Sequence, residues 1–183
     1  MNETVDLFGP AHLPILDQAA HLAGDLVSEA FQLDLANFRQ WPVDVRHQAL
    51  LAPTELALGV LAQVICYRRK AVFQGQKPDF YRVCLYDPAI LSASAREGVP
   101  LPTLLTYVLT HEFVHVARFV RFLELASLAP ELRAGEEGLV HAQTRELLAG
   151  RNLQEMPRLL ALFDQGRLAL DNLNSLDRLH LEA

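Results

Sequence analysis

The chain has 183 residues, 51% of them apolar and 21% charged, and carries a net charge of −6 at neutral pH. This is globular composition, long enough to bury a sizeable core without disulfides or a structural metal, and it excludes an intrinsically disordered chain. The acidic balance argues against a nucleic-acid-binding surface, and the one short basic run, Arg68-Arg69-Lys70, reads as a helix C-terminus complementing its own dipole.

From the N-terminus, Met1-Asn2-Glu3-Thr4-Val5-Asp6 is acidic and has no basic segment followed by an apolar one, so no secretory signal is expected. No stretch reaches about 18 uninterrupted apolar residues, which argues against a spanning helix. Apolar residues at helical spacing (Leu13, Leu16, Ala20, Ala23, Val27, Ala30) predict a first helix over about 11–35. Trp41-Pro42 breaks the pattern. A second helix is expected over about 46–73, with Leu50, Leu58, Leu61, Val64 and Ile65 as its core face and Pro53, Thr54 and Glu55 in its first turn. After the turn Gln74-Gly75-Gln76-Lys77-Pro78, the aromatic and β-branched alternation of Phe80-Tyr81-Arg82-Val83-Cys84-Leu85-Tyr86 predicts a strand over about 80–86, which Asp87-Pro88 ends.

Gly98-Val99-Pro100-Leu101-Pro102 leads into a helix over about 103–128, with Thr103 as its N-cap. Ala129-Pro130 starts the next, over about 131–149, which stops at Gly150 in a left-handed cap. Leucines then recur at helical spacing over about 153–180, interrupted at Gly166; Leu168, Leu170, Leu173, Leu176 and Leu179 form a seam that covers the domain's own core or joins a homodimer. Cys66 and Cys84 lack CxxC spacing and read as reduced, buried thiols, which fits a cytoplasmic protein. The expectation is a single domain over 1–183, mainly α with a small β-sheet (α+β).

The chemistry concentrates in His111-Glu112-Phe113-Val114-His115, an HExxH motif on the helix over about 103–128. Histidines at i and i+4 lie side by side on one helix face, close enough to hold one metal ion, and the Glu between them can serve as general base toward water. The neighbours Leu109, Thr110, Phe113, Val114 and Val116 are uncharged, so the imidazoles emerge from buried helix, where polar groups need partners. A catalytic zinc takes three protein ligands. The next helix offers Glu136, Glu137 and His141. Glu137 and His141 are one turn apart on a face with Thr144 and Leu148, whereas Glu136 lies on the apolar stripe of Leu132, Val140 and Leu147, where a carboxylate needs a cation.

On these residues the chain resembles the zincin metallopeptidases of gluzincin type, in which a strand precedes the HExxH helix and a later helix bears a ligand Glu. In that family the Glu opens an ExxxD pattern; here Glu137-Gly138-Leu139-Val140-His141 has the spacing but ends in His. The resemblance implies a minimal zincin-like domain with one zinc per chain on His111, His115 and Glu137, with His141 as the alternative third ligand or a partner outside the ligand set, and Glu136 as a further alternative. It implies a zinc-dependent peptidase or other amide hydrolase, acting on a peptide or protein substrate, in which Glu112 takes the proton of a metal-activated water; from charge and hydropathy, no nucleic-acid or membrane partner is expected. Tyr86, Tyr81, His141 and Arg145 are the candidates for the oxyanion donor, and Phe80 to Tyr86 is by analogy the edge strand that pairs with substrate. The metzincin pattern HExxHxxGxxH is absent, since positions 118 and 121 are both Arg.

Two rivals share these letters. Glu112 to His115 is also an ExxH, the half-motif of di-iron carboxylate bundles, but a second ExxH is missing and the lone carboxylates Glu29 and Glu55 show no metal-facing pattern. The other rival is a non-catalytic interaction protein on a zincin-like fold, against which an intact Glu112 counts.

Overall fold

The computed structural model describes residues 6–33, 43–67, 80–121 and 130–168, with side chains from residue 135 onward in the last of these. In chain order they form α1 (Leu13–Ala30), β1 (Val43–His47), β2 (Ala62–Tyr67), β3 (Phe80–Leu85), α2 (Asp87–Glu97), α3 (Leu101–Arg121), α4 (Pro130–Leu148) and α5 (Met156–Asp164). The architecture is mainly helical with a small mixed sheet, as the composition and periodicity predict. No helix among the described residues is long and apolar enough to cross a membrane.

α3 is the axis of the fold. Every residue from Thr103 to Phe119 except Arg118 is buried, the pattern of a helix covered on all sides. Its longest contact is with α1, whose buried face Leu16, Ala19, Ala23, Leu26 and Val27 follows helical spacing, and α2, α4 and β2 pack around the rest. The buried hydroxyls of Thr106 and Thr110 donate to the carbonyls of Pro102 and Thr106 (2.8 and 2.7 Å), so these two are satisfied within α3 itself. Helix α3 begins at Leu101, two residues before the predicted cap; Thr103 lies inside it and donates to the Gln154 carbonyl at 2.8 Å, tying α3 to the start of α5.

The sheet order is β1-β3-β2, with β1 parallel and β2 antiparallel to β3. Period-two alternation divides the sheet's apolar residues between two clusters: Val64, Cys66, Tyr81, Val83 and Leu85 join the main core with α1 and α3, whereas Ile65, Cys84 and Tyr86 form a smaller cluster with Val60. The two cysteines are free and buried, in different clusters.

Two expectations are corrected. The helix expected over 46–73 does not form within the described part of that range: it becomes the end of β1, two single 3-10 turns (Gln48–Leu50 and Pro53–Glu55) and β2, and 68–73 lie outside the described residues. Pro53 and the left-handed Gly59 (φ 79°) punctuate the segment, and the near-continuous apolar run from Val60 to Cys66 suits a doubly buried strand; of the assumed helix face, Leu50 and Leu58 are exposed. Second, Phe80–Leu85 is the central strand, with its backbone groups engaged by β1 and β2, so it offers no free edge to a substrate. A helix that the sequence reading did not anticipate, α2, begins at Asp87, with Pro88 in its first turn and Gly98 (φ 62°) as its left-handed cap.

At the C-terminus, α5 stops at Asp164 and turns through the left-handed Gly166 (φ 67°). Leu168 is buried; the remaining leucines of the seam, and with them the expected dimer surface, lie outside the described residues.

Candidate metal centre

His111 and His115, one turn apart on α3, meet Glu137 of α4. The Nε2 atoms stand 3.1 Å from each other, that of His111 is 2.9 Å from Glu137 Oε1, and that of His115 is 3.0 Å from Glu137 Oε2. Among the described residues this is the one group of three such side chains with ligand atoms close enough to share an ion. The imidazoles are buried, while the Glu137 side chain is 27% exposed, so the group opens to solvent along α4.

Burial pushes the His111 imidazole down to about 4, against the opposing pull of Glu137, so at neutral pH it is uncharged. Burial alone would raise the Glu137 carboxyl, but hydrogen bonding and charge from both histidines hold it well below the usual carboxylate range. Zinc–ligand bonds of about 2.0–2.1 Å at tetrahedral angles separate neighbouring ligand atoms by about 3.3 Å, so the observed spacing needs to open by only a few tenths of an ångström to fit. Two imidazoles and a carboxylate are also a donor set that zinc takes. The group therefore fits a divalent ion. One feature departs from the usual pattern: among the described residues, Nδ1 of each histidine is buried without a hydrogen-bond partner, where metal-bound imidazoles are ordinarily supported by an acceptor.

Glu112 is fully buried and lies outside the three-residue group; its charge is felt on β3 by the Cys84 thiol, which burial pushes up to about 12. Glu136 has the cation its apolar stripe requires. Arg118, three residues after His115, holds it through Nε and Nη2 at 2.5 and 2.8 Å, which removes Glu136 from the ligand alternatives. His141 is not in the group either: its Nδ1 is 2.6 Å from the Tyr107 hydroxyl and its Nε2 is 3.5 Å from Asp164 Oδ1.

The remaining candidates are placed elsewhere. Tyr86 donates to the Glu55 carbonyl at 2.7 Å in the smaller cluster, Tyr81 stacks on Phe119 in the main core, and Arg145 pairs with Asp164. Of the carboxylates considered for a second metal, Glu29 is exposed on α1. Glu55 is buried, accepting from Tyr67, from Arg82 (2.6 Å) and from the Ala52 amide (2.6 Å). Sequence reasoning missed Tyr107, Arg118 and Asp164. The first two carried a signal: Tyr107 precedes His111 by one turn and Arg118 follows His115 by three residues, so both border the motif face. Asp164 comes from a separate helix and had none. No protein-family model matches this chain, and no curated protein or solved structure is similar to it.

Proposed function

We propose that the protein is a metal-dependent hydrolase of gluzincin type, acting on peptide or other amide bonds, with His111, His115 and Glu137 holding one divalent ion, zinc by preference. The observation that carries this reading is the meeting of two buried imidazole nitrogens and one carboxylate within 3.1 Å of one another at a solvent-facing opening. When bound there, the ion supplies Lewis acidity, polarising a carbonyl and lowering the pKa of water toward about 7.

The chain's own residues supply the rest. His111 and Glu137 offer the ion an uncharged imidazole and an ionised carboxylate at neutral pH, and the Nε2 hydrogen that His111 shares with Glu137 would have to move off that atom on binding. Arg118 neutralises Glu136, leaving Glu137 as the carboxylate that faces the histidines. Glu112, fixed in α3 beside His111, is the general base, a role worth about 10²- to 10⁴-fold. The di-iron alternative loses support, because Glu29 and Glu55 stand apart from the group.

Metal analysis of protein purified without added metal tests this reading, with about one zinc per chain expected. Glu112→Gln should keep that zinc and lose hydrolysis of a mixed peptide library by at least about 10²-fold. Protein without zinc, or a Gln variant as active as wild type, overturns it.

A further inference from the structure

A cleft of about 730 Å³ opens where α1, α3 and α4 end, and none of the three candidate metal ligands lines it. Its walls are Phe31, just after α1, Arg121, the last residue of α3, and Gln143, Glu146, Leu147 and Arg151 from the end of α4 and the turn beyond it. The volume is that of small-molecule sites, about 300–1,000 Å³.

The charges in this cleft are not used by the fold. An arginine at a helix C-terminus ordinarily complements the dipole, and Arg151 does so through a long bond from Nε to the Leu147 carbonyl at 3.4 Å. The Arg121 side chain makes no hydrogen bond or ion pair among the described residues, and neither does that of Glu146. Glu146 therefore pairs with neither guanidinium, although all three line one cleft. Gln143 is anchored from behind, its Oε1 accepting from Arg118 Nη1 at 3.3 Å, which leaves its amide N–H groups to donate. Phe31 and Leu147 supply the apolar part of the wall; both are half-buried and packed against the main core.

Two cations, one anion and an apolar wall, held apart on three helix ends, match a molecule that carries opposite charges on an apolar body. A guanidinium takes a carboxylate through two parallel N–H bonds, and the carboxylate of Glu146 accepts from an ammonium. The surplus of one positive charge draws a carboxylate to this cleft against the chain's overall −6.

We infer that the cleft binds the zwitterion of an apolar amino acid or short apolar peptide, with its carboxylate on Arg121 and Arg151, its ammonium on Glu146 and its side chain against Phe31 and Leu147. The site shares no residue with the candidate metal centre, so the two stand or fall separately.

Isothermal titration calorimetry of the full chain, with chelator present so that no peptide is cleaved, tests the inference. The probes are leucine, leucyl-leucine, 4-methylpentanoate, which lacks the ammonium, and 3-methylbutylamine, which lacks the carboxylate. Leucine or leucyl-leucine should bind saturably, and which of the two is tighter sets the ligand's length. The double variant Arg121→Gln, Arg151→Gln should weaken that binding about tenfold or more at unchanged Tm. Glu146→Gln should weaken the zwitterion about fivefold without weakening 4-methylpentanoate, a selective loss that a merely structural role would not produce. A wild type that neither zwitterion saturates overturns the inference. So does binding that survives the double variant, 3-methylbutylamine binding as tightly as the zwitterion, or a Glu146→Gln variant that does not discriminate between the probes.

Discussion

At the scale of single residues, the buried charges outside the candidate metal centre act as fasteners. Asp87, fully buried at the start of α2, accepts from the Phe8 and Gln48 amides, both at 2.9 Å, and contacts His47 Nδ1 at 3.1 Å, so one carboxylate joins the N-terminal segment, the end of β1 and α2. Glu55 does the same for the turn before β2. It is 1% exposed, and Arg82, whose guanidinium also sits over the Tyr67 ring at 5.3 Å, ties it to β3. Burial tends to raise the Glu55 carboxyl, but Tyr67, Ala52 and Arg82 overcome this and hold it below 4.5. A depressed folded-state value means that the stabilisation is fully present above the unfolded value and is lost as pH falls through the folded one. Glu55→Gln should therefore cost about 3 kcal/mol at pH 7 by urea unfolding, the loss of one partner of a buried pair. The gap to wild type should narrow steadily below pH 4.5, and a pH-independent gap would show that charge is not the cause.

At the scale of elements, glycines divide into those the backbone requires and those it does not. Gly98 caps α2 with φ 62°, and an added Cβ would meet nothing closer than Arg158 Nη1 at 3.7 Å, so Gly98→Ala should cost only the left-handed strain, about 1–2 kcal/mol. Gly138 is exposed inside α4 with open space around it, so Gly138→Ala should stabilise by about 0.5–1 kcal/mol. Thermal unfolding of the two variants should move in opposite directions; movement in the same direction would refute the distinction. These local rules made α1, α3, α4 and β3 legible, since each carries its own period or punctuation. They failed between Arg46 and Tyr67 because Leu61, Val64 and Ile65 satisfy helical spacing and also lie in a continuous strand-like run, and only pairing with β3 decides between them. They missed α2 because Asp87-Pro88 ends a strand and begins a helix in the same two residues, and because the helix itself has little apolar periodicity.

At the scale of the whole molecule, the candidate centre exists only because two helices, α3 and α4, meet. The two histidines and Glu112 were legible because their spacing lies within one helix, whereas the choice among Glu136, Glu137 and His141 depends on how α4 is rotated against α3, which a linear sequence does not encode. In the fold that rotation turns Glu137 to the histidines, Glu136 to Arg118 and His141 to Tyr107. The same meeting gathers both Nε2 atoms and the Glu137 carboxylate, while among the described residues the two buried Nδ1 atoms have no hydrogen-bond partner. An ion that binds the folded state and not the unfolded chain stabilises by RT ln(1 + [L]/Kd), about 4 kcal/mol at a thousandfold excess over Kd. For a chain of this size that corresponds to a rise in Tm of roughly 8–16 °C. Zinc should produce such a rise in wild type, and a chelator should reverse it. Glu137→Gln should abolish most of it, while Glu136→Gln should lower the starting Tm through the loss of the Arg118 pair but keep the zinc-dependent increment. If the increment instead follows Glu136, the rotation of α4 described here is wrong; if zinc moves neither wild type nor variants, the three side chains are joined by protons alone.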